Sequence, residues 1–591
     1  MNIFLIKDYC TVDGRTGGFL GDKISDYRRF SQGDEFTLHS ARNQFVSFQA
    51  AFDCGQGGAM SGADIRFSGD IRREDISCHI EWFHVIGDKL APDLLIPYEG
   101  NEHLLAVPQK DTEGHQVAVL WVDVFVPKDA PIGTNKLTLE AQAAGHAASF
   151  TIDIIAHKTV LTDRGFLTIA LNSYTDSLSK IYPHLDGNKE RFRDGSFFEI
   201  EKAHYQMARE HRALFQHLPY QHSGYIPESF TPELEGEGVY RKVKSWELFD
   251  KHFGPYLDGS AFAGTGREWP LESMYLPFNL CWPSSYEKWG TKGYRTETRR
   301  IIREFVRHFE EKGWLDTNLE LFLNNKKFYR FQPYTLDEVW YEHDEEGLDY
   351  YYSVVKDSYD STPVKIIFRQ DISNMIGFHM TPENRFSDMF DLWICSDGML
   401  SWYPDSVEMV KQKGQKCWTY GGVPNIGDST LLMFLKVIKC FSIGIHGYVP
   451  WNTINAGPDY LRTPADNGGV ALFYPGVPFG INGPVPSLRL KQLRNFTQVA
   501  DMACMSHGYS NEGSSLNARV KDAVNKSLGF DSEGQWWAPQ PDYLKDPPRT
   551  WDWERKTHLD IWKFPLEGNS PTMVENVALD ILTLLDAGIQ W

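Results

Sequence analysis

Apolar and polar positions change rhythm near His157–Asp163. Before that point the runs are short. Gln116–Pro127 is almost continuously apolar, Pro127–Gly133 is rich in turn formers, and Lys136–Glu140 and Ser149–Ile155 alternate with a period of two. That period places every second side chain on one face of a strand. Closely spaced strands punctuated by Gly, Pro and Asp, with no convincing long helix, predict an antiparallel β-sandwich over residues 1–160.

Beyond the boundary, strand-length apolar runs alternate with helical ones. Strands are predicted over Phe166–Asn172, Ala213–Pro219, Met274–Trp282, Leu319–Asn324, Val364–Arg369, Leu392–Cys395, Lys416–Tyr420 and Gly447–Trp451. Between them, Ile301, Ile302, Phe305, Val306 and Phe309 share one helical face, and Leu431, Leu432, Leu435, Val437 and Ile438 do so roughly. A last helix follows Ser487, a candidate N-cap, through Leu490, Leu493, Phe496 and Val499. Strands alternating with helices in this way predict an α/β fold, a (β/α)8 TIM-like barrel over residues 161–505. Residues 506–591 return to turn-rich, aromatic sequence that includes Trp536, Trp537, Trp551 and Trp553. They are expected to form a small β-rich C-terminal extension packed on the barrel.

Composition narrows the function. Among 591 residues, 42% are hydrophobic and 23% charged, which fills sizeable cores and excludes disorder as the dominant state. The net charge of -20, with basic residues scattered rather than striped, argues against nucleic acid as a partner. No apolar run approaches the ~18–20 residues of a membrane span. The apolar N-terminal run Asn2–Ile6 stops at Lys7 and Asp8, short of a signal sequence. The expected location is the cytoplasm, or secretion with the signal peptide absent from this chain. Eight cysteines without a Cys-x-x-Cys spacing read as reduced, buried thiols, so neither a metal site nor a disulfide framework is expected. Aromatic residues make up 14% of the chain, and beyond core packing they suit stacking on sugar rings.

In such a barrel the reactive groups sit at the C-terminal ends of the strands and in the loops after them. After strand four, Asp337 and Glu338 stand side by side between Leu336 and Val339. Two adjacent carboxylates among aromatic groups cannot both ionise freely, which leaves one as an acid near neutrality. A solvated helix start is the ordinary alternative for such a pair. The same rule selects Asn325 and Lys326 after strand four, Arg369 after strand five, Asp397 and Trp402 after strand six, Tyr420 after strand seven and Trp451 after strand eight. Each also has an ordinary structural role open to it: Tyr420 and Trp451 as closure of the barrel mouth, Arg369 as a buried ion-pair partner. The acids Glu342, Asp344, Glu345 and Glu346 match no calcium-loop spacing and are better read as helix capping. His204 and His211, two helical turns apart, read as surface or core residues. Gly264–Gly266 lacks the Lys-Ser/Thr of a phosphate loop, and neither a Gly-x-Ser-x-Gly elbow nor a His-Glu-x-x-His helix occurs.

Several segments together resemble glycoside hydrolase family 123 and its relatives, a group built around β-N-acetylgalactosaminidases. Trp121–Pro127 with Ala130–Gly133 is similar to the sandwich that precedes their barrel. Asn324, Asn325 and Lys326 resemble their strand end, and Leu336, Asp337 and Glu338 their catalytic pair. Gly414–Tyr420, Gly447–Trp451, Leu472–Gly476, Pro486–Arg489 and Leu493 with Arg494 follow in matching order. The resemblance runs from about Gln116 to Met505. It departs at Val339, where relatives often carry proline, and in a long stretch between Asn324 and Asp337. The resemblance implies an exo-acting, retaining β-N-acetylgalactosaminidase without a cofactor, acting on a glycan or glycoconjugate. In that group the substrate's own 2-acetamido oxygen attacks the anomeric carbon and gives an oxazolinium intermediate. Asp337 would orient the acetamido N–H, and Glu338 would be the general acid and then the base. A glycosidase of another specificity, such as a β-N-acetylglucosaminidase, and a non-catalytic carbohydrate-binding protein are the alternatives. A homo-oligomer stays open.

Overall fold

The computed structural model describes residues 1–21, 28–219, 225–324, 334–337, 339, 342–372, 388–396, 400, 405–463, 471–507, 513–529 and 572–588. All the expected barrel strands form, as Thr168–Tyr174, Leu214–Leu218, Ser273–Tyr275, Asn318–Phe322, Ile366–Ile372, Leu392–Ser396, Lys416–Gly421 and Gly447–Pro450. Numbered one to eight along the chain, they lie in the order 2-1-8-7-6-5-4-3, and every paired neighbour runs parallel. Strands two and three lie side by side and complete the ring without a ladder among the described residues. The third strand is much shorter than expected. Pro277, which cannot donate to a ladder, follows it closely, and Asn279 and Trp282 then bridge each other in a tight turn.

Alternation along each strand sorts the side chains. Leu319, Leu321, Phe368, Trp393, Cys417 and Tyr448 point outward and join the main core under helices that include Lys292–Lys312 and Leu431–Ile443. Ala170, Ile367, Leu392, Ile394, Trp418 and Val449 point inward and plug the barrel with an apolar layer.

Residues 1–160 form two facing sheets. One has five strands in the order Asn2–Lys7, Gln44–Asp53, Val117–Val126, Ile76–Ile86, Lys89–Pro97, and the other four, Phe36–Arg42, His146–Val160, Gly133–Ala143, Asp64–Gly69. Phe48, Leu120, Leu139 and Ile152 share the core between them. Phe36–Arg42 runs parallel to His146–Val160, so the sandwich is not wholly antiparallel. No hairpin joins these two strands. The chain leaves Phe36–Arg42 for the other sheet at Asn43, which takes a left-handed φ of 63°. Gly133–Ala143 alternates buried and exposed positions, whereas Val117–Val126 is buried on both faces, because the five-stranded sheet also packs against the barrel.

The packing partner is the helix Leu488–Met505, buried along its whole length. Its N-cap is the expected one: the Ser487 hydroxyl accepts the Leu490 N–H at 2.9 Å. On the sheet side, Asp123 accepts from Lys491 at 2.7 Å and Arg494 at 2.6 Å, and Asp93 takes Arg489 at 2.9 and 2.7 Å. Burial works against the Asp123 charge, yet Arg494 and Lys491 hold its carboxyl well below the usual range.

The C-terminal extension differs from the β-rich expectation: its described residues form two helices, Gly513–Leu528 and Met573–Gly588, packed on each other. In the second, Val574, Val577, Ile581, Leu582 and Leu585 are buried at helical spacing. Its Asp586 accepts the Thr159 N–H at 2.9 Å and hydroxyl at 2.7 Å, tying the helix to the last sandwich strand. Trp536, Trp537, Trp551 and Trp553 lie outside the described residues. No helix among the described residues is long and apolar enough to cross a membrane.

Candidate active site

Inward positions nearest the C-terminal ends of the strands build the barrel mouth from a polar and an aromatic cluster. Arg369 lies inside strand five rather than after it, 1% exposed, and reaches in three directions. Its Nε and Nη2 donate to Asp371 at 2.8 and 3.1 Å, and its Nη1 donates to Glu320 at 3.0 Å and to the Tyr275 hydroxyl at 2.7 Å. Glu320 also accepts from Gln216 at 2.8 Å and from the Ser273 hydroxyl. Burial opposes the charge of Arg369, but Asp371, Tyr275 and Glu320 together hold its guanidinium well above the ordinary value. The group therefore stays charged and faces two carboxylates.

The second cluster is aromatic and lies against the first. Tyr174, Tyr275 and Phe322 cluster with Leu218, and Trp451 packs against them. Trp451 meets Tyr174 edge to face at 5.6 Å, and the Arg369 guanidinium lies 4.4 Å from the Phe322 ring centre. The Tyr174 hydroxyl accepts from the Asn324 amide at 3.3 Å. Tyr420 stays within strand seven, half-buried, against the apolar plug.

Asp337 is 3% exposed, in a described segment anchored at both ends. The Gln370 side-chain amide, on strand five, donates to the carbonyls of Leu336 at 2.9 Å and Asp337 at 3.1 Å. Upstream, the Thr335 N–H donates to Asp344 at 2.9 Å. Asp344 lies in the first turn of the helix Glu342–Val355 and, through the Thr335 N–H, fixes the chain segment ahead of Asp337. The Tyr334 ring packs on Trp289 at 5.7 Å.

Of the residues selected from the sequence, Asp337, Arg369, Tyr420 and Trp451 lie in described positions; Glu338, Asn325, Lys326, Asp397 and Trp402 lie outside the described residues. Arg369 and Trp451 share the mouth through the ring of Tyr275, Phe322 and Tyr174. Sequence reasoning missed Tyr174, Tyr275, Glu320 and Asp371. The period of two offered a signal for the last, since Asp371 falls on the same strand face as Arg369. His204 and His211 are core residues whose Nδ1 atoms bond the carbonyls of Ile200 and Met207 at 2.8 and 2.7 Å. Among the described residues no group of three His, Cys, Asp or Glu is arranged to hold a metal ion.

No family model and no curated protein matches the sequence. Solved structures do. A putative α-galactosidase from Bacteroides fragilis aligns at 10% identity over 80% of this chain and 79% of its own, with a TM-score of 0.26. The endo-β-1,4-mannanase from Thermotoga petrophila aligns at 11% identity over 57% of this chain and 77% of its own, with a TM-score of 0.33. Neither likeness carries weight at that level. A family 123 glycoside hydrolase from Clostridium perfringens, whose structure was analysed for the details of glycolipid glycan hydrolysis, aligns over 94% of this chain and 96% of its own at 13% identity, with a TM-score of 0.61. The chain thus has, over nearly its whole length, the fold of a family 123 glycoside hydrolase.

Proposed function

We propose that this chain is a glycoside hydrolase that removes terminal β-linked N-acetylgalactosamine with net retention of configuration. The reading is supported by the fold of a family 123 glycoside hydrolase over nearly the whole chain and by the buried Asp337, in the segment after strand four whose main chain Gln370 of strand five holds. The substrate's acetamido oxygen attacks the anomeric carbon while Glu338 gives its proton to the departing glycosidic oxygen. Asp337 accepts the acetamido N–H and so holds the nucleophile in line and offsets the positive charge of the oxazolinium. Glu338, now a carboxylate, takes a proton from water, which opens the ring at the same carbon. Two inversions at that carbon give retention. The polar cluster supports this chemistry: the buried carboxylates Glu320 and Asp371 and the Arg369 guanidinium are held in fixed orientations, dipoles and charges set before a developing cation arrives. The aromatic cluster beside it suits the apolar face of a sugar.

A side-by-side rate assay tests the reading, on chromogenic β-N-acetylgalactosaminide, β-N-acetylglucosaminide and β-galactoside. Turnover of the first is expected, with Glu338→Gln slowed at least about 100-fold on a poor leaving group. Asp337→Asn is expected to fall similarly and to fold normally. Preference for the glucosaminide would move the specificity to the other epimer. Turnover of the β-galactoside at a comparable rate would refute acetamido assistance, and turnover of none would refute the enzyme.

A further inference from the structure

At the end of the barrel opposite the mouth, a cavity of about 110 Å3 lies at the N-terminal ends of strands one, two and three. Its wall carries four arginines: Arg164 ahead of strand one, Arg209 and Arg212 ahead of strand two, and Arg267 ahead of strand three. Two carboxylates, Asp163 and Glu272, share the wall, and both are engaged. Asp163 accepts from Lys128 at 2.7 Å and from Asn43 at 2.9 Å, and Glu272 accepts from Arg209 at 2.9 Å and from the Trp269 indole N–H. Asp501, on the helix Leu488–Met505, takes Arg212 at 2.7 and 3.1 Å and the N–H groups of Phe166 and Leu167 at 2.8 and 3.1 Å.

Donors and positive charge are left over. Among the described residues neither Arg164 nor Arg267 forms an ion pair, and the Arg267 guanidinium makes one long bond, to the Arg209 carbonyl at 3.4 Å. The Nη1 of Arg209 reaches only the carbonyls of Arg267 and Trp269, each at 3.4 Å. Arg164 and Arg209 lie over the same Trp269 ring, at 5.0 and 4.8 Å from its centre, so two like charges share one face of the wall. Burial and the neighbouring Arg212 push the pKa of Arg267 down from 12.5 to about 9, against the pull of Asp501 and Asp163. The crowding is built in, because Arg212 takes a left-handed φ of 57° at the turn into strand two and is locked to Asp501. Guanidinium groups with unspent donors and uncompensated charge match an acceptor that is itself negative. Size narrows the class: 110 Å3 exceeds the ~30 Å3 share of one water and falls short of the roughly 300–1,000 Å3 of a pocket that encloses an organic ligand.

We propose that this cavity binds one small tetrahedral oxyanion, phosphate or sulfate, with Arg267 and Arg164 as its principal donors. Calorimetric titration of the full chain with sodium phosphate, against chloride at constant ionic strength, is expected to show saturable binding of one ion per chain, with sulfate competing. Arg267→Gln is expected to weaken it about tenfold or more, and Arg164→Gln, at an exposed position where folding is not at stake, to weaken it as well. Because Arg212 crowds Arg267, Arg267→Gln should melt in chloride at or above the wild-type temperature; a lower one would give Arg267 a packing role and overturn the excess of charge on which the site rests. Glucose 6-phosphate separates a free ion from a phosphate group carried by a larger molecule: the small cavity predicts binding at least about tenfold weaker than that of phosphate, and equal binding would keep the anion site but assign it to an ester. Absence of saturable binding by phosphate and sulfate, or unchanged binding in Arg267→Gln, overturns the assignment.

Discussion

Arg369 meets Glu320 and Asp371 with its guanidinium and Glu320 fully buried and Asp371 nearly so. A planar fork of donors fits these partners, because two nitrogens face Asp371 while the third serves Glu320 and the Tyr275 hydroxyl. Lysine offers one compact charge and cannot span the three partners. Arg369→Met takes the shared guanidinium from two buried carboxylates and is expected to destabilise the fold by about 3–5 kcal/mol, with Arg369→Lys also destabilising. Denaturant unfolding measures this, and an unchanged midpoint for Arg369→Met would refute the account. The sequence made Arg369 visible because it ends an apolar run, but Glu320 is 49 positions away and becomes its neighbour only through the pairing of strands four and five. Glu201 is a second residue whose role only the packing reveals. Fully buried, it bonds His217 at 2.6 Å and His252 at 2.5 Å. Burial alone would raise its pKa, but the two histidines hold it down, from 4.5 to about 2. Because the folded value lies below the unfolded one, the stabilisation is complete above pH ~4.5 and is lost as pH falls towards about 2, to the extent of about 3 kcal/mol. Urea unfolding of wild type and Glu201→Gln over that range checks the sign: the wild type should lose stability on acidification more steeply than the variant.

The element that positions Asp337 is the helix Glu342–Val355, and it does so through a glycine. A Cβ on Gly347 would stand 2.8 Å from two carbons of the Tyr334 ring, three residues ahead of Asp337. Alanine favours a helix interior by about 1 kcal/mol over glycine, so helix propensity and close approach pull in opposite directions here. The ring cannot yield without moving the segment that Gln370 and Asp344 anchor. Gly347→Ala is therefore expected to cut kcat about tenfold or more while the helix persists. Adding Tyr334→Leu, which removes the obstructing ring, should restore part of it. Full kcat in Gly347→Ala would show that this contact does not position the site. At this scale the sequence was informative where period and punctuation agreed. The barrel strands and the Ser487 cap were legible from apolar runs and a capping hydroxyl. Where a single residue overrides the run, the reading slipped, as at Pro277, which ends the third strand early. Beyond residue 506 the tryptophan-rich composition outweighed a helical period carried by Val574, Val577, Ile581 and Leu585, and the helix was missed. The contact of Asp344 with Thr335 was equally hidden, since Thr335 lies outside the helix that the spacing of the acids pointed to.

Over the whole molecule, part of the family resemblance lies at the joint between sandwich and barrel, where Trp121, Asp123, Arg489 and Arg494 meet; the rest is spread over barrel strands and their loops. The helix Leu488–Met505 serves both sides: Leu490, Leu493 and Phe496 pack into the barrel core, while Arg489 pairs with Asp93 and Lys491 and Arg494 share Asp123 on the sheet. Neither side has an independent claim on this helix, so the two should unfold together. Asp123→Ala tests this, because the residue belongs to the sandwich while the cations it leaves unpaired belong to the barrel. Burying Lys491 and Arg494 without their carboxylate is expected to cost about 3–5 kcal/mol. If the joint couples the two halves, calorimetry should show one transition in the wild type and one transition, at lower temperature, in Asp123→Ala, with activity lost along the same curve. If the halves are independent, the sandwich should melt early by itself while barrel unfolding and activity keep their wild-type midpoint. The shared burial of one helix on both faces favours the first outcome, since an opened joint would expose Trp121, Leu95 and Leu488 to water together with the unpaired charges.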